Sequence, residues 1–220
     1  MAAALRPSLL RAARVWALFL LGALVPCAAL AELPGRFDYY VLSLSWSPHY
    51  CALPQARNDT LQCVEHRYGF VVHGLWPQGE RDAPAFCDSG QPRQVKSQIV
   101  DRYLPIMPSP RLIEHQWRKH GTCSGLTQEE YFAAIGRAWE RFRVPSAFQD
   151  GSLTRTDRNT LLQQISDANP GVPREAVALR CRGQDFAEAR ICLSRSLQPV
   201  VCGSAVRGSC PRNVRVRPVR

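Results

Sequence analysis

Apolar residues along the chain recur at two spacings, alternate positions and every third or fourth position, and these sort it into strands and helices. Residues 37–46 (FDYYVLSLSW) are aromatic and aliphatic with partial alternation, which predicts a strand ended by Ser47-Pro48. Residues 68–73 (YGFVVH) predict a short strand stopped by Gly74 and Pro77. Val95, Ile99 and Tyr103 predict a helix over 94–104, ended by Pro105. Pro110 and Gly121 bracket a second helix, 110–120, with proline just inside its start and glycine just past its end. Thr127 and Glu130 form a capping box that opens a helix carrying Tyr131, Phe132, Ile135, Trp139 and Phe142. A further helix spans 157–168, up to Asn169-Pro170-Gly171, and strands at 176–181 and 186–193 flank a turn at Gly183. Trp46 and Trp139 belong to the predicted core. No repeat or linker interrupts the pattern, so residues 32–220 read as one α+β domain. The Val/Pro/Arg tail over 211–220 is expected to be loose.

The N-terminus reads differently. Arg6, Arg11 and Arg14 precede an apolar run at 15–25, too short for the roughly 20 residues that a membrane-spanning helix needs. Ala29-Leu30-Ala31 follows, which predicts a secretory signal peptide over 1–31 and a secreted or periplasmic mature chain. Of the 28 basic residues, those three arginines leave with the signal, so 25 basic groups face 18 acidic ones, a net charge of +7. That excess suits an anionic partner and says nothing about the fold. One of the nine cysteines, Cys27, leaves as well. Cys51, Cys63, Cys87, Cys123, Cys181, Cys192, Cys202 and Cys210 remain, an even set that implies four disulfides whose pairing the spacing leaves open. There is no C-x-x-C and the histidines lack zinc-ligand spacing, so neither a metal nor a cofactor is expected.

Two segments carry candidate chemistry. In Phe70-Val71-Val72-His73-Gly74-Leu75-Trp76-Pro77 a histidine is expected at a strand end beside a sharp turn, a common place for a functional side chain. In the helix ending His115-Gln116-Trp117-Arg118-Lys119-His120-Gly121-Thr122-Cys123, a rotation of about 100° per residue puts His115, Lys119, Gln116 and His120 on an arc of about 140°. Leu112 lies within that arc and apolar Ile113 and Trp117 lie beyond it, as expected of one wall of a cleft. At the helix end the C-terminal dipole favours a protonated His120, and Lys119 opposes it. Two or three histidines, a lysine and an amide without metal ligands suit acid–base cleavage of a phosphodiester, with cations steadying the charged phosphorus centre. RNA supplies its own nucleophile, the 2′-hydroxyl.

On these two segments the chain resembles the ribonuclease T2 family, and the opening strand with Trp46, the Asn169-Pro170-Gly171 turn and the eight cysteines extend the resemblance over the mature domain. It implies an antiparallel sheet with packed helices and an exported, monomeric, metal-independent endoribonuclease. The enzyme would cleave single-stranded RNA through a 2′,3′-cyclic phosphate with weak base preference and would have no stable membrane association. It further implies His120 as general base, His73 as general acid, His115 as phosphate ligand, Lys119 as the stabilising cation and Trp76 as a base-stacking ring. It implies the pairs Cys51–Cys63, Cys87–Cys123, Cys181–Cys210 and Cys192–Cys202.

Two residues depart from the family pattern. Gln116 stands where a glutamate is usual, and Gln78, a candidate substrate-binding residue with Trp76, replaces an acidic residue that often reads a base, which leaves the base preference open. Gln116 supports a second reading, a catalytically weakened protein on the same fold that binds RNA or a partner.

Overall fold

The first predicted strand is present as β1 (Tyr39–Trp46), and its neighbours on both sides decide where the chemistry lies. The computed structural model describes residues 33–151 and 153–219; the segment read as an export signal lies outside them. β1 pairs antiparallel with β2 (Phe70–Gln78) and with β5 (Asp185–Leu193). β5 also pairs antiparallel with β4 (Val177–Arg182), and β3 (Arg155–Asp157) with β6 (Asn213–Arg215). β6 meets β5 in parallel, at Asp185↔Arg215, so the sheet is mixed at this one seam.

Among the described residues, six α-helices accompany the sheet: α1 (Ser47–Tyr50), α2 (Ser97–Tyr103), α3 (Pro110–Lys119), α4 (Gln128–Arg141), α5 (Ser146–Gln149) and α6 (Arg158–Ala168). α3 starts where Ser109 Oγ accepts the Leu112 amide, with Pro110 at the first helical position. Both arms of the Thr127–Glu130 capping box form at α4. Asp157 caps α6 by accepting the Asn159 amide at 2.7 Å.

The period of two gives the sheet an apolar face and a chemical one. Tyr40, Leu42 and Leu44 of β1, Val72 and Leu75 of β2 and Ala189 and Ile191 of β5 point into the main core. There they meet Ile113 and Trp117 of α3 and Tyr131, Phe132 and Ile135 of α4. Trp46 is buried in that core and Trp139 packs against it. Tyr39, Val41, Ala178 and Cys192 occupy the opposite face. The four disulfides are Cys51–Cys63, Cys87–Cys123, Cys181–Cys210 and Cys192–Cys202, the pairs that the resemblance implies.

Two expectations need correction. β2 does not stop at Gly74 and Pro77; it runs on to Gln78. Pro77 lacks a ladder donor, but β2 is the outermost strand on its side of the sheet, where a proline is tolerated. His73 therefore sits inside a strand and not at its end. Nor is the tail loose. Residues 213–215 form β6, Val214 and Val216 are buried, and Trp46 Nε1–H donates to the Arg217 carbonyl at 2.8 Å. The alternation of valine with arginine there is that of a half-buried strand.

Candidate active site

His73 and Trp76 are three positions apart, which in a regular strand puts them on opposite faces. The register of β2 on β1 shifts between Ser43 and Leu44: Gly74 lies opposite Ser43, Val72 lies opposite Leu44, and His73 is the extra residue between them. This bulge turns His73 to the chemical face beside Trp76. The two rings meet edge-on, 5.2 Å apart at 82°.

The second wall comes from α3. Its C-cap, His120, stacks on Trp76 at 5.2 Å and 25°, so one indole contacts both imidazoles. Trp76 Nε1–H donates to Gln116 Oε1 at 2.7 Å. That bond crosses directly over Gly74, where a Cβ would land on Gln116 Oε1 and Trp76 Nε1. Behind α3, Trp117 Nε1–H donates to the Pro92 carbonyl, and Gly121 leaves the room that the Trp117 ring fills. The Cys87–Cys123 disulfide and the bond from the Phe86 amide to the Lys119 carbonyl (2.8 Å) tie the loop after β2 to the end of α3.

The four polar residues of the predicted arc differ in exposure. Gln116 is 1% exposed and His120 7%, whereas His115 is exposed and Lys119 half-buried. Gln116 lies beneath Trp76, and the exposed His115 ring lies edge-on to exposed Phe86 at 6.3 Å. Burial, followed by the positive charges of Lys119, His73 and His115, pushes His120 down to about 3. The competition at the helix end is thus resolved in favour of a neutral imidazole. His115 is lowered too, by burial first and then by Lys119, Arg118 and His73.

Gln78 is held within its own loop. It is buried, and its amide donates to the carbonyls of Gly79 and Asp82, so it shapes its own loop. An amide can close a turn on carbonyl oxygens, whereas the acidic residue of the family pattern, which only accepts, cannot.

Two site residues escape the sequence reading. Glu188 and Arg190 of β5 lie opposite Ser45 and Ser43 of β1 and share the face of His73 and Trp76. Glu188 Oε2 accepts from His73 Nδ1–H at 3.0 Å, and its Oε1 accepts from Arg190 Nε–H at 2.5 Å. The Arg190 guanidinium lies 4.9 Å from the centroid of the Trp76 ring. Burial alone raises the Glu188 carboxyl, but the hydrogen bond and charge of His73, together with Arg190, outweigh it and hold the group at about 2. The signal in the sequence was two charges at alternate positions of a strand whose other face is Ala189 and Ile191.

The sequence and the fold have known counterparts. Residues 37–202 match the model of the Ribonuclease T2 family. The chain is 43% identical over 166 residues to a ribonuclease of Aeromonas hydrophila, a match covering 73% of this chain and 74% of that one. It is 30% identical over 180 residues to a probable ribonuclease of Haemophilus influenzae, covering 76% of this chain and 61% of that one. Among solved structures, an RNase-related protein from Calystegia sepium superposes with a TM-score of 0.67 at 20% identity, over 83% of this chain and 97% of that one. RNase NT in complex with 5′-AMP superposes with a TM-score of 0.66 at 18% identity, over 83% and 98%. These two likenesses concern the fold; the family match and the bacterial relatives concern the sequence itself, and on them the chain belongs to the ribonuclease T2 family, as an RNA-cleaving endoribonuclease of that type.

Proposed function

We propose that the enzyme cleaves single-stranded RNA without a metal, by internal attack. His120 takes the proton of the 2′-hydroxyl, and that oxygen bonds to phosphorus. His73 gives a proton to the departing 5′-oxygen as the P–O5′ bond breaks, leaving a 2′,3′-cyclic phosphate. The imidazoles then exchange roles while water opens the ring. His115 binds the phosphate and Lys119 offsets the charge that builds on it. The observation that carries this reading is the pairing of unlike histidines across one indole: a neutral, buried His120 suited to accept a proton, and a His73 that opens to the cleft and is bound through Nδ1 to a carboxylate.

Weak base preference follows from the same residues. Stacking on an aromatic ring such as Trp76 tolerates any base, and the Gln78 amide is buried and spent on its own loop. Four disulfides suit an oxidising compartment, in keeping with an export signal over residues 1–31 and a secreted or periplasmic site of action for a monomeric chain.

RNA incubated with the purified protein and EDTA is expected to yield fragments ending in 2′,3′-cyclic phosphate. Absence of cleavage, or normal cleavage by both His73→Ala and His120→Ala, rejects the reading.

Gln116 gives a separate test. Its Oε1 already accepts from Trp76, so Gln116→Glu keeps that bond and adds a buried negative charge beside the histidines. The charge stabilises imidazolium, so His120 holds its proton at higher pH. The acid limb of the pH–rate profile is expected to move up by about one pH unit or more. An identical rate at every pH shows that this position does not tune the chemistry.

A further inference from the structure

The carboxylates on and near α3 do not serve the histidines. Glu114 accepts from the Val95 amide at 3.1 Å and pairs with Arg118 at 3.4 Å, and position 116 is an amide. Among the described residues, the carboxylate hydrogen-bonded to a histidine of the site is Glu188, on the opposite wall. We propose that Glu188 is the positioning residue for His73: the carboxylate usual on the catalytic helix is supplied here from strand β5, where it fixes the tautomer and the orientation of the imidazole.

The geometry supports this at both oxygens. Glu188 is 8% exposed, and a buried carboxylate is tolerated only when it is paired. Arg190 suffices for that pairing and engages Oε1 alone. The second oxygen is turned to His73, whose side chain is 37% exposed toward the cleft. An ionised carboxylate only accepts hydrogen bonds, so Nδ1 carries the hydrogen of this contact. Nε2 is left as the atom that delivers a proton to the 5′-oxygen and recovers one from water in the second step. The same division of labour between a carboxylate and an imidazole recurs wherever a histidine must hold one tautomer and one orientation.

Other charges face His73 as well. Arg190 lies on β5 and Arg180 on β4, opposite Glu188 in register; His115 of α3 and its C-cap His120 lie within electrostatic reach of His73, with Lys119 beside them, and the Trp76 ring lies next to it on β2. All of the charged ones are cationic when ionised and oppose a second positive charge on His73. Glu188 is the group that counters them.

The inference rests on the general-acid reading of His73, and the variants separate the two. In Glu188→Gln, kcat on RNA is expected to fall roughly 10- to 100-fold, less than the loss of about 10²- to 10⁴-fold on removing an acid–base group. KM is expected to stay within about threefold, because uniform substrate binding is untouched. The alkaline limb, where the acid loses its proton, moves to lower pH. Glu188→Asp recovers part of the rate. Arg190→Gln moves the same limb the other way, to higher pH, because it removes a cation and leaves Glu188 free to act on His73. A merely structural salt bridge predicts lowered melting temperatures in both variants and an unmoved limb. If His73→Ala is inactive while Glu188→Gln keeps the wild-type rate and limb, the inference falls and the acid role stands. If His73→Ala cleaves normally, the role itself falls. Should Glu188→Gln fail to fold, the direction of the Arg190→Gln limb decides: upward supports the inference, and an unmoved limb overturns it.

Discussion

Replacing His120 by alanine is expected to lower kcat on RNA by about 10²- to 10⁴-fold, the range for loss of a general base. The reasoning begins with burial. The imidazole is 7% exposed, stacked on Trp76, and surrounded by Lys119, His115 and His73, so it stays neutral down to about 3. A base works only in its unprotonated form. The acid limb of kcat/KM is therefore expected well below 6.5, where an ordinary imidazole would place it. A bound phosphate raises the proton affinity of His120, so the limb in kcat lies above that in kcat/KM. Steady-state rates across the acid range in wild type and His120→Ala test both statements; full activity in the variant removes His120 from the mechanism. Stability follows the same group. The unfolded chain protonates this imidazole near 6.5 and the folded chain near 3, so its contribution is complete above the first value and is lost as pH falls toward the second.

The second large effect is expected at Gly74. Gly74→Ala places a methyl on the Trp76–Gln116 hydrogen bond, with Gln116 Cδ only 2.8 Å away. Neither partner has room to yield, since Gln116 is 1% exposed and Trp76 is in contact with both His73 and His120. Overpacking and a lost buried hydrogen bond together predict about 2–4 kcal/mol of destabilisation. Moving the indole also moves both imidazoles, so the residual activity of folded Gly74→Ala is expected to fall at least tenfold. Urea melts and specific activity check this; a variant with wild-type stability and rate shows that the strand does not depend on this close approach.

The site was legible in the sequence where its residues are neighbours. His115, Gln116, Lys119 and His120 share one helix, and Pro110, Gly121 and the helical period delimit it before any tertiary contact is known. His73 was found by its segment but misplaced to a strand end. Gly74 and Pro77 are poor strand residues by local preference, and only the outer position of β2 and its bulge admit them. Glu188 lies 115 positions from His73, and strand register alone brings them together. β6 is illegible for a similar reason: the three residues Asn213-Val214-Arg215 carry too little local pattern, and their partners are residues 155–157 and 185.

Those late residues also set an order in time. Trp46 Nε1–H finds its acceptor at Arg217, 171 positions later, while its ring joins a cluster with Phe70, Phe148 and Phe186. A chain made from its N-terminus therefore exposes an aromatic cluster and an unpaired indole until residues 213–217 arrive. Contacts this distant in sequence slow folding, because a long loop must close before they form. An enzyme that attacks RNA thus completes its own sheet only after residues 213–217 have left the ribosome.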